Sequence, residues 1–243
     1  MAGILLTHSY FYKFDRKQWD TKQPYPPLGT LYAASVLLKE DFSVSLFDTN
    51  LADSPLDIIP LILKNKPLYL VIYDDGFNYL SKMCLNKMRE AAFRLIDIGK
   101  EHGCIIITAG SDSSDNYEKY LNAGADYVII GEGELTLKEL INTLENGGPE
   151  LSAINGLAFR KQGKTIRTAG RSILKNLNEL PFPAWHLVDI ERYRKIWMDN
   201  HGYFSLNIAT TRGCPFHCNW CAKPIYGNRY NSRSPENVVK EIE

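Results

Sequence analysis

The chain has no charge of either sign to spare: 28 lysines and arginines stand against 28 aspartates and glutamates in 243 residues. An even balance gives no electrostatic case for a nucleic-acid or membrane partner, since both attract proteins through a basic face. No run of about 18 apolar residues occurs, so no membrane-spanning helix is expected. The first residues also lack a charged segment followed by an apolar stretch and a small-residue cleavage site. These absences point to a cytoplasmic protein. Cysteine is scarce too, at five residues, and three of the five are crowded together, which is not how a secreted disulfide framework is laid out. Cys84 falls in a helical stretch and Cys104 opens an apolar run, so both are expected to behave as small buried hydrophobes. What the chain does have is apolar content, 44%, enough to bury a sizeable core.

The crowded cysteines are the most informative feature. Gly213-Cys214-Pro215-Phe216-His217-Cys218-Asn219-Trp220-Cys221 offers three thiolates in a compact loop. That suits three corners of a four-iron cluster and leaves one iron open to a substrate or cofactor. A Cys3His zinc site with His217 as the fourth ligand is the alternative; structural zinc sites usually pair two short knuckles, and here there is one. Trp220 is expected to pack over the metal centre and shield it. The Cys-x3-Cys-x2-Cys run, the aromatic-basic stretch after it and Ser234-Pro235-Glu236 opening a helix resemble the start of a radical S-adenosylmethionine domain. The resemblance implies a [4Fe-4S] cluster on Cys214, Cys218 and Cys221. It also implies S-adenosyl-L-methionine on the open iron, cleaved reductively to a 5'-deoxyadenosyl radical by an electron from a donor such as flavodoxin or ferredoxin. Lys223, Arg229 and Arg233, which follow the cysteines, read as surface charges or as contacts to a small anionic cofactor.

Ahead of the cysteines, short apolar runs alternate with longer amphipathic ones, the rhythm of a parallel sheet with crossover helices. Strands are expected at 3–7, 44–48, 68–73, 104–109 and 127–130, and helices at 28–40, 56–65, 80–102, 116–123 and 134–146. The fold class that follows is α/β, a flavodoxin-like (Rossmann-like) doubly wound sheet, whose ligands sit beyond the carboxyl ends of the strands. Four loops fall there. They contain Leu28 and Gly29 before the first long helix, Asp74 and Asp75, Gly110 and Ser111, and Gly131, Glu132 and Gly133. Pro26 to Leu31, Ile105 to Asp112 and Ala125 to Glu134 together resemble the cobalamin-binding domain that precedes many radical S-adenosylmethionine domains. The resemblance implies that those loops hold cobalamin. No Asp-x-His-x-x-Gly motif occurs, so no histidine is expected to reach cobalt. The turn Ala109-Gly110-Ser111-Asp112 departs from the Gly-Gly-Pro common in the family. A flavodoxin-like module binding a flavin or nucleotide remains the other reading of this half.

The expected layout is a cobalamin-binding domain over 1–150, a hairpin and proline-rich linker over 151–203, and the start of a radical S-adenosylmethionine barrel over 204–243. The hairpin is read at 156–160 and 165–167, and Trp185 and Trp197 are expected to pack the linker against the domains. A strand over 205–211 is expected to deliver the cysteines. Ser234 and Pro235 are expected to start the first barrel helix. A full barrel takes about 200 residues or more. The chain therefore reads as a piece of a longer enzyme, with a split subunit completed by a C-terminal partner chain, or a degenerate protein retaining only corrinoid binding, as alternatives. The resemblance implies methylation of an unactivated carbon of an unknown small substrate. Radical cyclisation, and a corrinoid-binding module without catalysis, stand beside it. Methylthio transfer fits less well, because Cys84 and Cys104 make no second triplet.

Overall fold

The computed structural model describes residues 3–78, 85–216, 218 and 225–243. Its centre is a sheet in the order β2-β1-β3-β4-β5-β6-β7. The strands are β1 (Gly3–Thr7), β2 (Ser43–Phe47), β3 (Tyr69–Tyr73), β4 (Ile105–Ala109) and β5 (Tyr127–Ile129), all parallel, then β6 (Leu157–Lys161) and β7 (Lys164–Arg167), which join antiparallel. The doubly wound α/β class read from the sequence is therefore the observed fold, and each of the five parallel strands lies within one residue of its expected place. The 156–167 hairpin is not free-standing. Ile129 pairs with Leu157 and Tyr127 with Phe159, so the hairpin extends the sheet beyond β5.

Burial on both faces explains why β1, β3, β4 and β5 read as apolar runs, while the edge strand β2 is at most half-buried and carries Ser43 and Ser45. Successive side chains of β3 point to opposite faces. Tyr69, Val71 and Tyr73 pack with Ala33 and Leu37 of α2 (Leu28–Leu38) and Leu137, Leu140 and Ile141 of α7 (Glu134–Asn146). Leu70 and Ile72 pack on the other side with Ile62 of α3 (Ile59–Asn65), Leu95 and Ile96 of α4 (Leu85–Glu101), and Tyr120 of α6 (Tyr117–Asn122). Cys104 is buried as expected, its thiol pKa raised by burial against a smaller opposite pull from Lys100. Cys84 lies outside the described residues, as does the start of the helix expected from residue 80.

Three helices escaped the sequence reading: α1 (Arg16–Thr21), the single turn α5 (Ser111–Asp115) and α8 (Ile190–His201). The last changes the picture of the linker. Asp189 caps its first turn through Arg192 N, and Gly202 closes it in the left-handed conformation. Tyr193 and Trp197, one turn apart, anchor it to the sheet module: Tyr193 Oη donates to Asp48 Oδ2 at 2.6 Å and Trp197 Nε1 to the Pro24 carbonyl at 2.8 Å. Trp185 is half-buried between α2 and the same segment. No helix among the described residues is long and apolar enough to cross a membrane.

Beyond α8 the regular structure thins. Of the strand expected over 205–211, only β8 (Thr211–Arg212) forms a ladder, pairing antiparallel with β9 (Asn231–Ser232). An extended segment becomes a strand only where a neighbour supplies the other half of its hydrogen bonds. α9 (Pro235–Ile242) stands where the sequence places it, with Ser234 Oγ accepting from Asn237 N at 3.2 Å.

Candidate functional site at the carboxyl edge of the sheet

All the parallel strands end on one edge, and the loops singled out above line it. Asp74 and Asp75 follow β3, Gly110 and Ser111 follow β4, and Gly131 to Gly133 follow β5. Several of these side chains are engaged with the protein itself. Asp74 Oδ1 accepts from the amide and hydroxyl of Ser9, at 2.8 and 2.7 Å. Burial pushes its pKa up to about 6, against the pull of those two hydrogen bonds. Asp75 Oδ1 accepts from Gly29 N at 3.0 Å and Phe77 N at 2.9 Å, which holds the start of α2 against the β3 loop. Burial raises the Asp75 pKa too, with the Phe77 and Gly29 amides lowering it. The Leu28 side chain is buried with Tyr32, Val36 and Leu180 and is not part of an open surface. Gly110 sits tight against the Asp74 side chain, and Gly131, at φ +81, has open space where a side chain would stand. Ser111 opens α5, and the next residue, Asp112, is sequestered by Arg89, Tyr120 and Asn116.

The described flanks of the cysteine run, through Arg212 and Tyr226, lie against this same edge. Cys214 is half-buried and Cys218 exposed, both as free thiols. Cys221 and Trp220 lie outside the described residues, as do His217 and Lys223. Among the described residues no three His, Cys, Asp or Glu side chains gather as a metal site. Glycine is required just ahead of Cys214: Gly213 has φ +79, and a methyl group there would overlap the carbonyl oxygen of Arg229. On the far side of the turn, Tyr226 is buried, stacked on Phe77 at 5.0 Å between ring centroids. Its hydroxyl fills the space beside Gly76 where a side chain would go.

Between the cysteine turn and the β5–α7 turn lies a charged node that the sequence reading missed. Arg212 NH1 donates to Glu132 Oε1 at 2.6 Å and NH2 to Glu134 Oε1 at 2.8 Å. The guanidinium also lies 4.8 to 5.2 Å from the ring centroids of Tyr226, Tyr32 and Phe77. Only 4% of the Arg212 side chain is exposed. Burial lowers its pKa, but Glu134, Tyr226 and Glu132 outweigh that, so the charge is held. Glu132 is raised by burial and by its neighbour Glu134, against the Leu174 amide and Arg212. Its other oxygen accepts from Leu174 N at 2.6 Å, which brings the linker into the same node. Two buried polar atoms here, Tyr226 Oη and Glu134 Oε2, have no partner among the described residues. Opposite charges in Arg212 and the 132–134 turn are visible in the sequence, but nothing local says that 78 residues of chain fold back to join them. Arg233, read from the sequence as a surface charge or cofactor contact, is buried instead: it pairs with Glu241 and donates to Tyr32 Oη at 3.1 Å.

The chain is thus a doubly wound sheet with the described flanks of the cysteine run packed against its carboxyl edge. No family model matches the chain. It is 28% identical over 222 residues to an uncharacterized methyltransferase of Pyrococcus horikoshii, covering 89% of this chain and 45% of that protein. It is equally 28% identical over 226 residues to the anaerobic magnesium-protoporphyrin IX monomethyl ester cyclase of a Synechocystis species, covering 91% of this chain and 42% of the cyclase. The chain thus spans less than half the length of these curated relatives. Among solved structures, the cobalamin-dependent S-adenosylmethionine radical enzyme OxsB, with aqua-cobalamin and S-adenosylmethionine bound, superimposes with a TM-score of 0.74 at 20% identity, over all of this chain and 31% of that one. The radical S-adenosylmethionine methyltransferase TsrM of Kitasatospora setae, with cobalamin and a [4Fe-4S] cluster bound, gives 0.69 at 18% identity, over all of this chain and 45% of that one. At such identities the structures establish the fold; the two solved neighbours are radical S-adenosylmethionine proteins with cobalamin bound, and the two curated relatives are a methyltransferase and a cyclase.

Proposed function

We propose that the chain is the corrinoid-binding module and cysteine turn of a cobalamin-dependent radical S-adenosylmethionine enzyme that methylates an unactivated carbon of a small substrate. The observation that carries the reading is the contact just described: the cysteine turn is fastened to the carboxyl edge of the sheet, where doubly wound folds take their ligands. The donor set suits a cluster, with free, accessible thiols at Cys214 and Cys218 beside a glycine that lets the backbone turn. In this reading Cys214, Cys218 and Cys221 hold a [4Fe-4S] cluster, and Trp220 shields it.

The corrinoid lies along the edge formed by Gly110, Ser111, Gly131, Glu132 and Gly133. Leu28, Gly29, Asp74 and Asp75 serve it by shaping that edge, as does the Glu132 carboxylate, because these groups are already engaged within the protein. The bound cofactors supply the radical and the methyl group; the protein supplies position and exclusion of water. The domain division, 1–150, 151–203 and 204–243, is carried into the proposal with one refinement: the 157–167 hairpin stands with the first module. An electron donor such as flavodoxin or ferredoxin and a C-terminal segment or partner chain completing the barrel belong to the same reading. The cyclase among the relatives favours a second reaction, radical ring closure with the same cofactor pair.

The test is anaerobic reconstitution with iron, sulfide and hydroxocobalamin, followed by electron paramagnetic resonance of the reduced protein with and without S-adenosylmethionine. A base-off cob(II)alamin signal and a cluster signal that shifts on adding S-adenosylmethionine are expected. Replacing Cys214, Cys218 and Cys221 by serine is expected to abolish the cluster signal and leave the corrinoid signal. A wild-type chain that takes up neither group overturns the reading.

A further inference from the structure

We propose that Arg212 is a positioning residue that fixes the cysteine turn to the β5–α7 turn, so that a ligand on the edge of the sheet is felt at Cys214. The inference deepens the proposed function and rests on it for the identity of the two ligands, but the tether itself is a property of the chain alone. Arg212 stands two residues before Cys214, and its guanidinium divides its fork between two carboxylates of one turn, Glu132 and Glu134. A fork that spans two acceptors fixes orientation as well as distance, which a lysine ammonium on the same stem does not do. Three aromatic rings close the remaining sides, from α2 (Tyr32), from the β3 loop (Phe77) and from the far limb of the cysteine turn (Tyr226). The node therefore joins three of the four segments that line the edge to both limbs of the cysteine turn.

The two-residue β8–β9 ladder is too short to fix the turn against the sheet by itself, and it is not hydrogen-bonded to the main sheet. Glu132 belongs to the turn assigned to the corrinoid, and its second oxygen is already taken by Leu174 N. A ligand that orders this turn consequently orders the guanidinium and, two residues on, the first thiol.

The experiment is amide hydrogen exchange on the full chain, wild type against Arg212→Met, Arg212→Lys and Glu134→Gln, first without cofactor and then with hydroxocobalamin added. Without cofactor, Arg212→Met is expected to speed exchange at 211–216 and 226–232 by about tenfold or more while β1, β3 and β4 keep wild-type protection; Arg212→Lys should recover part of the loss. Unchanged exchange in those segments overturns the proposal, and this arm needs neither cobalamin nor a cluster. Hydroxocobalamin is then expected to slow exchange at 211–216 in the wild type and not in Arg212→Met, although absorbance titration shows both binding it with affinities within about threefold of each other, a loss of communication rather than of fold. Protection that persists in Arg212→Met overturns it. Should the methionine variant fail to fold, Glu134→Gln, which keeps a hydrogen-bond acceptor and removes a charge, carries the same comparison. Failure of the wild type to bind hydroxocobalamin would count against the proposed function and leave the cofactor-free comparison to decide the tether.

Discussion

The sheet module and the segment from residue 204 onward are held by different physics. In the first, side chains of the four inner parallel strands are buried on both faces, and many have no measurable exposure. In the second, regular pairing among the described residues is confined to two residues a strand, while Leu206, Ile208, Val239 and Ile242 stand 40 to 70% exposed. Among the described residues, directed contacts from Arg212, Arg233 and Tyr226 fasten this segment, helped by single hydrogen bonds from Asn207, Asn231 and Ser234 and by partial burial of Phe204 and Ala209. Hydrophobic burial is spread over many residues and does not depend on direction. A buried ion pair depends on its geometry and fails when one partner is removed. The module is therefore expected to unfold as one cooperative unit, and the cysteine segment to loosen locally ahead of it.

The strongest way to break the contrast is inside the sheet. Leu70 is fully buried and packs where Gly99 lets α4 approach closely; a side chain at Gly99 would lie 2.6 Å from Leu70 Cδ2. Leu70→Ala leaves a hole that Gly99 has no side chain to fill, so a loss of about 3–5 kcal/mol is expected. Urea unfolding followed by far-ultraviolet circular dichroism checks it; a loss below about 1 kcal/mol would mean that the module is loosely packed.

Asp74 gives the next largest effect, and it depends on pH. Its pKa is raised in the fold to about 6 from 3.8. Between those values the folded protein keeps a proton that the unfolded chain has released, so stability falls as pH rises through this window. The full cost, about 3 kcal/mol, is present above pH 6 and absent below pH 4. Asp74→Asn keeps the acceptor for Ser9 and is expected to flatten the dependence between pH 4 and about 6.5, with the urea midpoint of the variant higher at pH 7. Parallel curves for the two proteins would show that Asp74 ionises in the folded protein as it does in water.

The two regions were also unequally legible from sequence. The four inner parallel strands could be placed because two-sided burial makes each an apolar run, the edge strand β2 because Val44, Leu46 and Phe47 still mark it, and α7 because its apolar residues repeat along one face. The helix α8 was missed because Pro181 and Pro183 just ahead of it mark an irregular stretch, although Asp189 and Gly202 bracket it as caps and Tyr193 and Trp197 share a face. The cysteines are legible as a candidate metal-ligating run because their spacing is local to the sequence. Arg212, Glu132 and Glu134 are not legible in that way, since an ion pair across so much chain depends on the fold that brings it together.

Glycines sharpen the contrast at a smaller scale. Gly213 and Gly131 both have positive φ, but a methyl group meets the Arg229 carbonyl at the first and nothing within 4 Å at the second. Gly131→Ala is expected to cost about 1–2 kcal/mol from backbone conformation alone. Gly213→Ala adds an overlap with backbone that has no side chain to swing away, yet its global cost should be no larger, because the segment can detach while the sheet stays folded. Its signature is faster labelling of the Cys214 thiol with an unchanged urea midpoint; a midpoint that falls by more than Gly131→Ala would show the two regions unfolding together.

The smallest effect tests the exposed face of α9. Val239 is 49% exposed and Ile242 70%, so about half of the first side chain and most of the second stay in water. Val239→Ser should therefore change stability by no more than about 0.5 kcal/mol. The same substitution inside the sheet, at Val71, removes a fully buried side chain and leaves a hydroxyl in an apolar layer, where both the lost burial and the unpaired polar group count against folding. Measured side by side by urea unfolding, the pair compares one residue type in the two regions. Equal losses would mean that α9 is packed into the cooperative unit after all, and that the cysteine segment is held by burial as the sheet is, rather than by the few contacts that converge on Arg212 and Arg233.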